Sequence, residues 1–133
     1  MENNKKELTL NEYQQQAMTT CMSSSENFSY MFLNLVGEVG EFASKIAKAI
    51  RKKQICIGGK YAMSTVSNML IYENSFSAEQ RKELQKEAGD ILWQLSGLCT
   101  VMGWSLEDVA QMNLDKLASR KERNVIDGNG DNR

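Results

Sequence analysis

Apolar residues recur at spacings of three and four through most of the chain, and no proline interrupts them. That period predicts helices and argues against a protein built from strands and tight turns. Thr9-x-x-Glu12 has the form of a capping box and opens a first helix expected to run to about Met22, where Ser23-Ser24-Ser25 breaks it. A second helix is expected over about Phe28 to Lys53, with Phe28, Met31, Phe32, Leu35, Val39, Phe42, Ile46 and Ile50 on one stripe. Arg51, Lys52 and Lys53 complete it, at the end where the helix dipole favours cations. Between Gln54 and Ser77, Gly58-Gly59 signals a turn, and Tyr61 to Tyr72 fits either a short helix or a loop. Ser77-x-x-Gln80 opens a third helix to about Met102, with Leu84, Ala88, Ile91, Leu95, Leu98 and Met102 on its stripe and Gly103 as its stop. Ser105-x-x-Asp108 starts the last one, through Val109, Met112 and Leu117 to about Arg123. The expected fold is all-α, a four- or five-helix, largely antiparallel bundle. It is expected to be a single domain over 1–133, with its helical core at about 9–123, an inserted loop or short helix at about 54–77 and a Gly/Asn-rich tail at 124–133.

Composition narrows the chemistry. A chain of 133 residues, 41% hydrophobic, suffices for one core. Sixteen basic and seventeen acidic residues leave a net charge of −1, which supplies no field for nucleic acid or an anionic membrane, so neither is expected as a partner. Met1 to Glu7 is polar and no apolar run is long enough to span a bilayer, so the protein is expected to be soluble and cytoplasmic. Cys21, Cys56 and Cys99 are odd in number and far apart, which reads as reduced structural thiols. The chain has no histidine. Ser-His-Asp and Cys-His catalysis are thereby excluded, as are the Glu-x-x-His ligands of di-iron bundles.

Two acidic pairs stand out, Glu38 with Glu41 and Glu87 with Asp90. Residues three apart on a helix lie about 60° apart around its axis, so each pair projects from one line at the shoulder of its apolar stripe. Asn34 and Lys45 flank the first line, Glu83 and Gln94 the second. With a quarter of all residues charged, two solvated helix faces would be the plain reading. Glycine weighs against it: Gly37 and Gly40 sit beside the first pair and Gly89 inside the second, although each costs about 0.8–1 kcal/mol relative to alanine in a helix interior. Glycine lets a helix or a ligand approach the backbone, which suits an acidic seam facing a partner. Converging carboxylates repel and require protons, basic side chains or cations among them. Oxygen ligands without histidine or paired cysteine favour a hard cation, Mg²⁺ or Mn²⁺, and magnesium commonly binds through carboxylates together with substrate phosphates.

The strings Leu35-Val36-Gly37-Glu38-Val39-Gly40-Glu41 and Lys86-Glu87-Ala88-Gly89-Asp90-Ile91-Leu92-Trp93 resemble the Glu-x-x-Glu and Glu-x-x-Asp signature of MazG-like nucleotide pyrophosphohydrolases, within the all-alpha NTP pyrophosphatase superfamily. The likeness covers about Phe28 to Arg133 apart from the middle, including Gly103 to Leu117 and the tail from Gly128. It departs in the 45 residues that separate Glu41 from Glu87, which exceed the family's usual short linker. The resemblance implies hydrolysis of an NTP or dNTP to the monophosphate and pyrophosphate. Glu38, Glu41, Glu87 and Asp90 would hold Mg²⁺, and one of the glutamates would orient the attacking water. It also implies that the tail, with Asp131 and Arg133, folds over the nucleotide, whereas its Gly/Asn-rich composition by itself reads as a flexible terminus.

Supporting positions follow from helix spacing. Asn113, Lys116 and Arg120 are spaced to share a face and donate to phosphate oxygens, though a basic face near a helix C-terminus is also an ordinary solvated feature. Lys86, beside the second pair, is a further candidate for phosphate or for charge balance, and Trp93 for base stacking or burial in a subunit interface. Polar and glycine-rich lines on the second helix predict self-association as a homodimer or homotetramer. Two rivals keep the same residues: a catalytically silent oligomerisation or adaptor module whose acidic seams pair with lysines, and a hydrolase of another nucleotide phosphoanhydride.

Overall fold

The computed structural model describes residues 7–52 and 76–127, and among these every regular element is helical. The order is α1 (Leu10–Met18), one turn of 3-10 helix (Ser23–Ser25), α2 (Phe28–Arg51), α3 (Ala78–Val101) and α4 (Leu106–Glu122). The turn at Gly58-Gly59, the alternative helix or loop at Tyr61 to Tyr72, Cys56, and the tail residues Asp131 and Arg133 lie outside the described residues.

Helix starts form where short-range chemistry predicts them. Thr9 Oγ1 accepts from the Glu12 amide at 3.1 Å while the Glu12 carboxylate accepts from the Thr9 amide at 3.1 Å. At α3, Ser77 Oγ accepts from the Gln80 amide at 3.1 Å and Gln80 Oε1 from the Ser77 amide at 2.9 Å. Ser105 Oγ caps α4 by accepting from the Asp108 amide at 3.2 Å. Both later helices end in a left-handed residue, Gly103 (φ 71°) and Asn124 (φ 54°). The Trp104 amide donates to the Cys99 carbonyl at 2.8 Å and the Val125 amide to the Arg120 carbonyl at 3.0 Å, each closing a Schellman motif. The first helix stops at Met18, short of the expected Met22, because the Thr19 and Thr20 hydroxyls donate to the Gln16 and Ala17 carbonyls at 2.6 and 2.7 Å.

The described residues divide into two compact units, one made of 7–28 and 96–127, the other of 29–52 and 76–95. In the first, Gln14 is buried and ties α1 to the turn before α4. Its Nε2 donates to Thr100 Oγ1 and to the Trp104 carbonyl, both at 3.0 Å, and its Oε1 accepts from the Leu106 amide at 2.7 Å. Ser105 Oγ adds a bond to Asn11 Oδ1 at 2.7 Å.

In the second unit α2 and α3 are antiparallel, since Glu38 is near Glu87 and Asp90, whereas Lys45, further along α2, reaches back to Glu83. Two described helices cover only one side of each other, and the apolar stripe of α2 is correspondingly divided. Met31 is buried and Leu35, Phe42 and Ile46 are half-buried, but Phe28, Phe32, Val39 and Ile50 are exposed, as are Leu33 (68%) and Val36 (58%) off the stripe. On α3, Leu84, Ile91, Leu95 and Leu98 are half-buried while Ala88 and Met102 are exposed. Among the described residues no helix is long and apolar enough to cross a membrane.

Candidate metal centre

The acidic lines of α2 and α3 meet within the second unit. One carboxylate oxygen from each of Glu38, Glu41 and Glu87 lies within 4.8 Å of the others. Glu87 is buried, Glu38 half-buried and Glu41 exposed, so the cluster opens to solvent on one side. Asp90 is exposed and outside this trio, yet its charge reaches Glu38. Partial burial, followed by the charges of Glu41, Asp90 and Glu87, holds the Glu38 carboxyl above the usual range. A hydrogen bond from Asn34 Nδ2 to Glu38 Oε1, 3.2 Å, opposes that shift.

Basic side chains border the cluster. Lys45 Nζ lies 3.0 Å from Glu87 Oε1 and 3.4 Å from Glu83 Oε2. Its ammonium is held more basic than usual, first by the hydrogen bond to Glu87. Lys86 Nζ donates to the other oxygen of Glu83 at 2.6 Å. The hydrogen bond from Lys86, and then the one from Lys45, holds Glu83 below the ordinary carboxylate range. One turn beyond Asp90, Gln94 is buried and its Oε1 has no hydrogen-bond partner among the described residues.

Three converging carboxylates with no nitrogen or sulfur donor form an oxygen-only set, which fits a hard divalent cation. The described cysteines, Cys21 and Cys99, belong to the other unit, and burial pushes both thiols up, away from the thiolate a soft metal needs. An added Cβ would meet nothing within 4 Å at Gly40 or Gly89, and only Asn34 Oδ1, at 3.9 Å, at Gly37.

The other sequence candidates fall elsewhere. Lys86 is exposed and engages Glu83, and Trp93 is half-buried on α3. Asn113 and Lys116 are exposed on α4 in the first unit, where they line an open groove of about 670 Å³ with Trp104, Asp108, Val109 and Met112. Arg120, on the same helix, is buried, so it does not share their solvent-facing surface. Sequence reasoning registers Lys45 and Glu83 only as flanking residues. Their spacing carried a usable signal, because Lys45 falls four and seven residues after the first pair and Glu83 four before Glu87.

Comparison with known proteins agrees with these motifs. Residues 26–125 match the family model of the MazG nucleotide pyrophosphohydrolase domain. The "Gene 37 protein" of Mycobacterium phage L5 is 38% identical over 110 residues, covering 83% of this chain and 80% of the relative. The uncharacterized protein YvdC of Bacillus subtilis (strain 168) is 33% identical over 87 residues, 65% of this chain and 73% of the relative. No solved structure matches. The matched span contains both acidic pairs and three of the four described α-helices, α2, α3 and α4, and the chain belongs to the MazG nucleotide pyrophosphohydrolase family.

Proposed function

We propose that this protein hydrolyses nucleoside triphosphates, ribo- or deoxyribo-, to the monophosphate and pyrophosphate, with Glu38, Glu41, Glu87 and Asp90 holding Mg²⁺. The observation that carries the reading is the convergence of Glu38, Glu41 and Glu87 oxygens within 4.8 Å in a chain of this family. Bound there, the cation would polarise a phosphoryl oxygen and acidify a water. Water oxygen forms a bond to the α-phosphorus, the bond from that phosphorus to the α,β-bridging oxygen breaks, and pyrophosphate leaves with that oxygen. The water proton passes to a carboxylate or to solvent.

Asn113 and Lys116 are proposed as donors to phosphate oxygens from the groove they line. The exposed apolar residues of α2, Phe32, Leu33, Val36 and Val39 among them, support self-association, which sedimentation of the purified chain would measure.

The test is pyrophosphate release from a panel of canonical and modified NTPs and dNTPs with Mg²⁺, with EDTA, Glu38→Gln and Asp90→Asn as controls. Metal-dependent release that EDTA abolishes and each substitution lowers at least a hundredfold is the expected result. Turnover of no member, together with no rise in thermal midpoint on adding Mg²⁺, would overturn the reading in favour of a silent oligomerisation or adaptor module.

A further inference from the structure

Lys45 contacts the candidate centre without belonging to its acidic set. Its ammonium lies 3.0 Å from Glu87 Oε1, and Glu87 is also one of the three carboxylates that converge within 4.8 Å. The same ammonium is 3.4 Å from Glu83 Oε2, one turn earlier on α3. We propose that Lys45 is a positioning residue that competes with the divalent cation for Glu87, and that Glu83 is the carboxylate to which its ammonium retires when the cation binds. This rests on the metal reading given above.

The chemistry follows from charge and reach. A divalent ion held by Glu38, Glu41 and Glu87 would place a second cation on the Glu87 carboxylate beside the Lys45 ammonium. They repel, and the ammonium is the one with a second partner already in hydrogen-bond range. With no cation bound, Lys45 offsets the repulsion among Glu38, Glu41 and Glu87 and holds α2 against α3 at the level of the site. Removing it therefore acts in opposite directions: the metal-free protein loses a stabilising charge, while the cation gains an uncontested ligand. A merely structural lysine would lower stability without tightening metal.

The experiment measures Mn²⁺ binding to the full chain without nucleotide, by titration followed with electron paramagnetic resonance, beside the metal-free thermal midpoint. Lys45→Met is expected to tighten Mn²⁺ roughly two- to fivefold, the range of partly exposed ion pairs, and to lower the metal-free midpoint. Lys45→Arg, which retains the charge, should restore wild-type affinity, and Lys48→Met, one turn further along α2, should leave it unchanged. Glu83→Gln alone should weaken Mn²⁺ binding, a result that tests the proposal even if Lys45→Met folds poorly, and beside Lys45→Met it should have no effect. Unchanged or weaker binding by Lys45→Met, equal tightening by Lys48→Met, or persistence of the Glu83→Gln effect without Lys45 would overturn it. Absence of Mn²⁺ binding by every variant, wild type included, would instead overturn the metal reading itself.

Discussion

Replacing Gly89 by alanine separates what the glycine does for the helix from what it does for the site. Gly89 lies inside α3 between Glu87 and Asp90, and an added Cβ meets no atom within 4 Å. Alanine is favoured over glycine by about 0.8–1 kcal/mol in a helix interior, partly because the unfolded chain has less freedom to lose. With nothing to clash, Gly89→Ala should raise the free energy of unfolding by about 1 kcal/mol, or a midpoint shift of about 4 °C for a domain of this size. Urea titration at fixed protein concentration reads this directly. If the open face receives a second copy of the chain or a nucleotide, the new methyl group must crowd it, and overpacking costs about 1–3 kcal/mol. That corresponds to a fall of roughly five- to 150-fold in kcat/KM, or in the association constant of the oligomer. The expected outcome is thus a more stable and less active protein, and Gly40→Ala should behave alike. A variant that is stabilised yet fully active and equally oligomeric would refute the idea that these glycines admit a partner. Destabilisation of a variant whose oligomeric state is unchanged would refute the open helix face.

Two further predictions follow from the geometry. Glu38 is held above its ordinary value near 4.5, so the folded metal-free protein keeps a proton that the unfolded chain releases. The resulting stabilisation is complete below about pH 4.5 and is lost as pH rises through the raised folded value. Thermal midpoints measured without metal should show this loss in wild type and lack it in Glu38→Gln, and Mg²⁺, which favours the ionised carboxylate, should oppose it; identical pH profiles would contradict the assignment. Gln14→Met keeps the side-chain volume but removes both Nε2 bonds and leaves the Leu106 amide without its 2.7 Å acceptor. A loss of about 2–4 kcal/mol in urea is expected, and a loss below about 1 kcal/mol would mean the connection is not structural.

Helix starts are legible in this sequence because each depends on four consecutive residues: Thr9 with Glu12, Ser77 with Gln80, and Ser105 with Asp108. The stop at Gly103 is equally local. The early end of α1 is less so, since Thr19 and Thr20 are compatible with a helix until their hydroxyls take the carbonyls behind them. Burial is the least legible property. A stripe such as Phe28, Phe32, Val39 and Ile50 states which residues disfavour water but not what covers them, and on this chain they remain exposed. Gln14 reads as one of three consecutive polar residues, and only its contacts with Thr100, Trp104 and Leu106, far along the chain, explain its burial.

The candidate site divides along the same boundary between local and non-local information. Helical spacing places Glu38 and Glu41 on one line and Glu87 and Asp90 on another, but it leaves the register between the lines undetermined. Antiparallel pairing supplies that register. It brings Glu87 to Glu38 and Glu41, leaves Asp90 outside the trio, and sets Lys45 between Glu83 and Glu87. Spacing alone treats the four acids as two equivalent pairs, whereas their surroundings differ: Glu87 is buried against an ammonium, Glu38 receives an amide hydrogen bond, and Glu41 and Asp90 face solvent. Their neutral variants should therefore not be interchangeable. Glu87→Gln removes the charge that pairs with Lys45 as well as a proposed metal ligand, so it should weaken metal binding and also lower the metal-free midpoint. Asp90→Asn should weaken metal binding while leaving the metal-free unfolding free energy within about 0.5 kcal/mol of wild type, as expected for an exposed side chain. Equal loss of metal-free stability in both variants would show that the asymmetry between Glu87 and Asp90 has no energetic content.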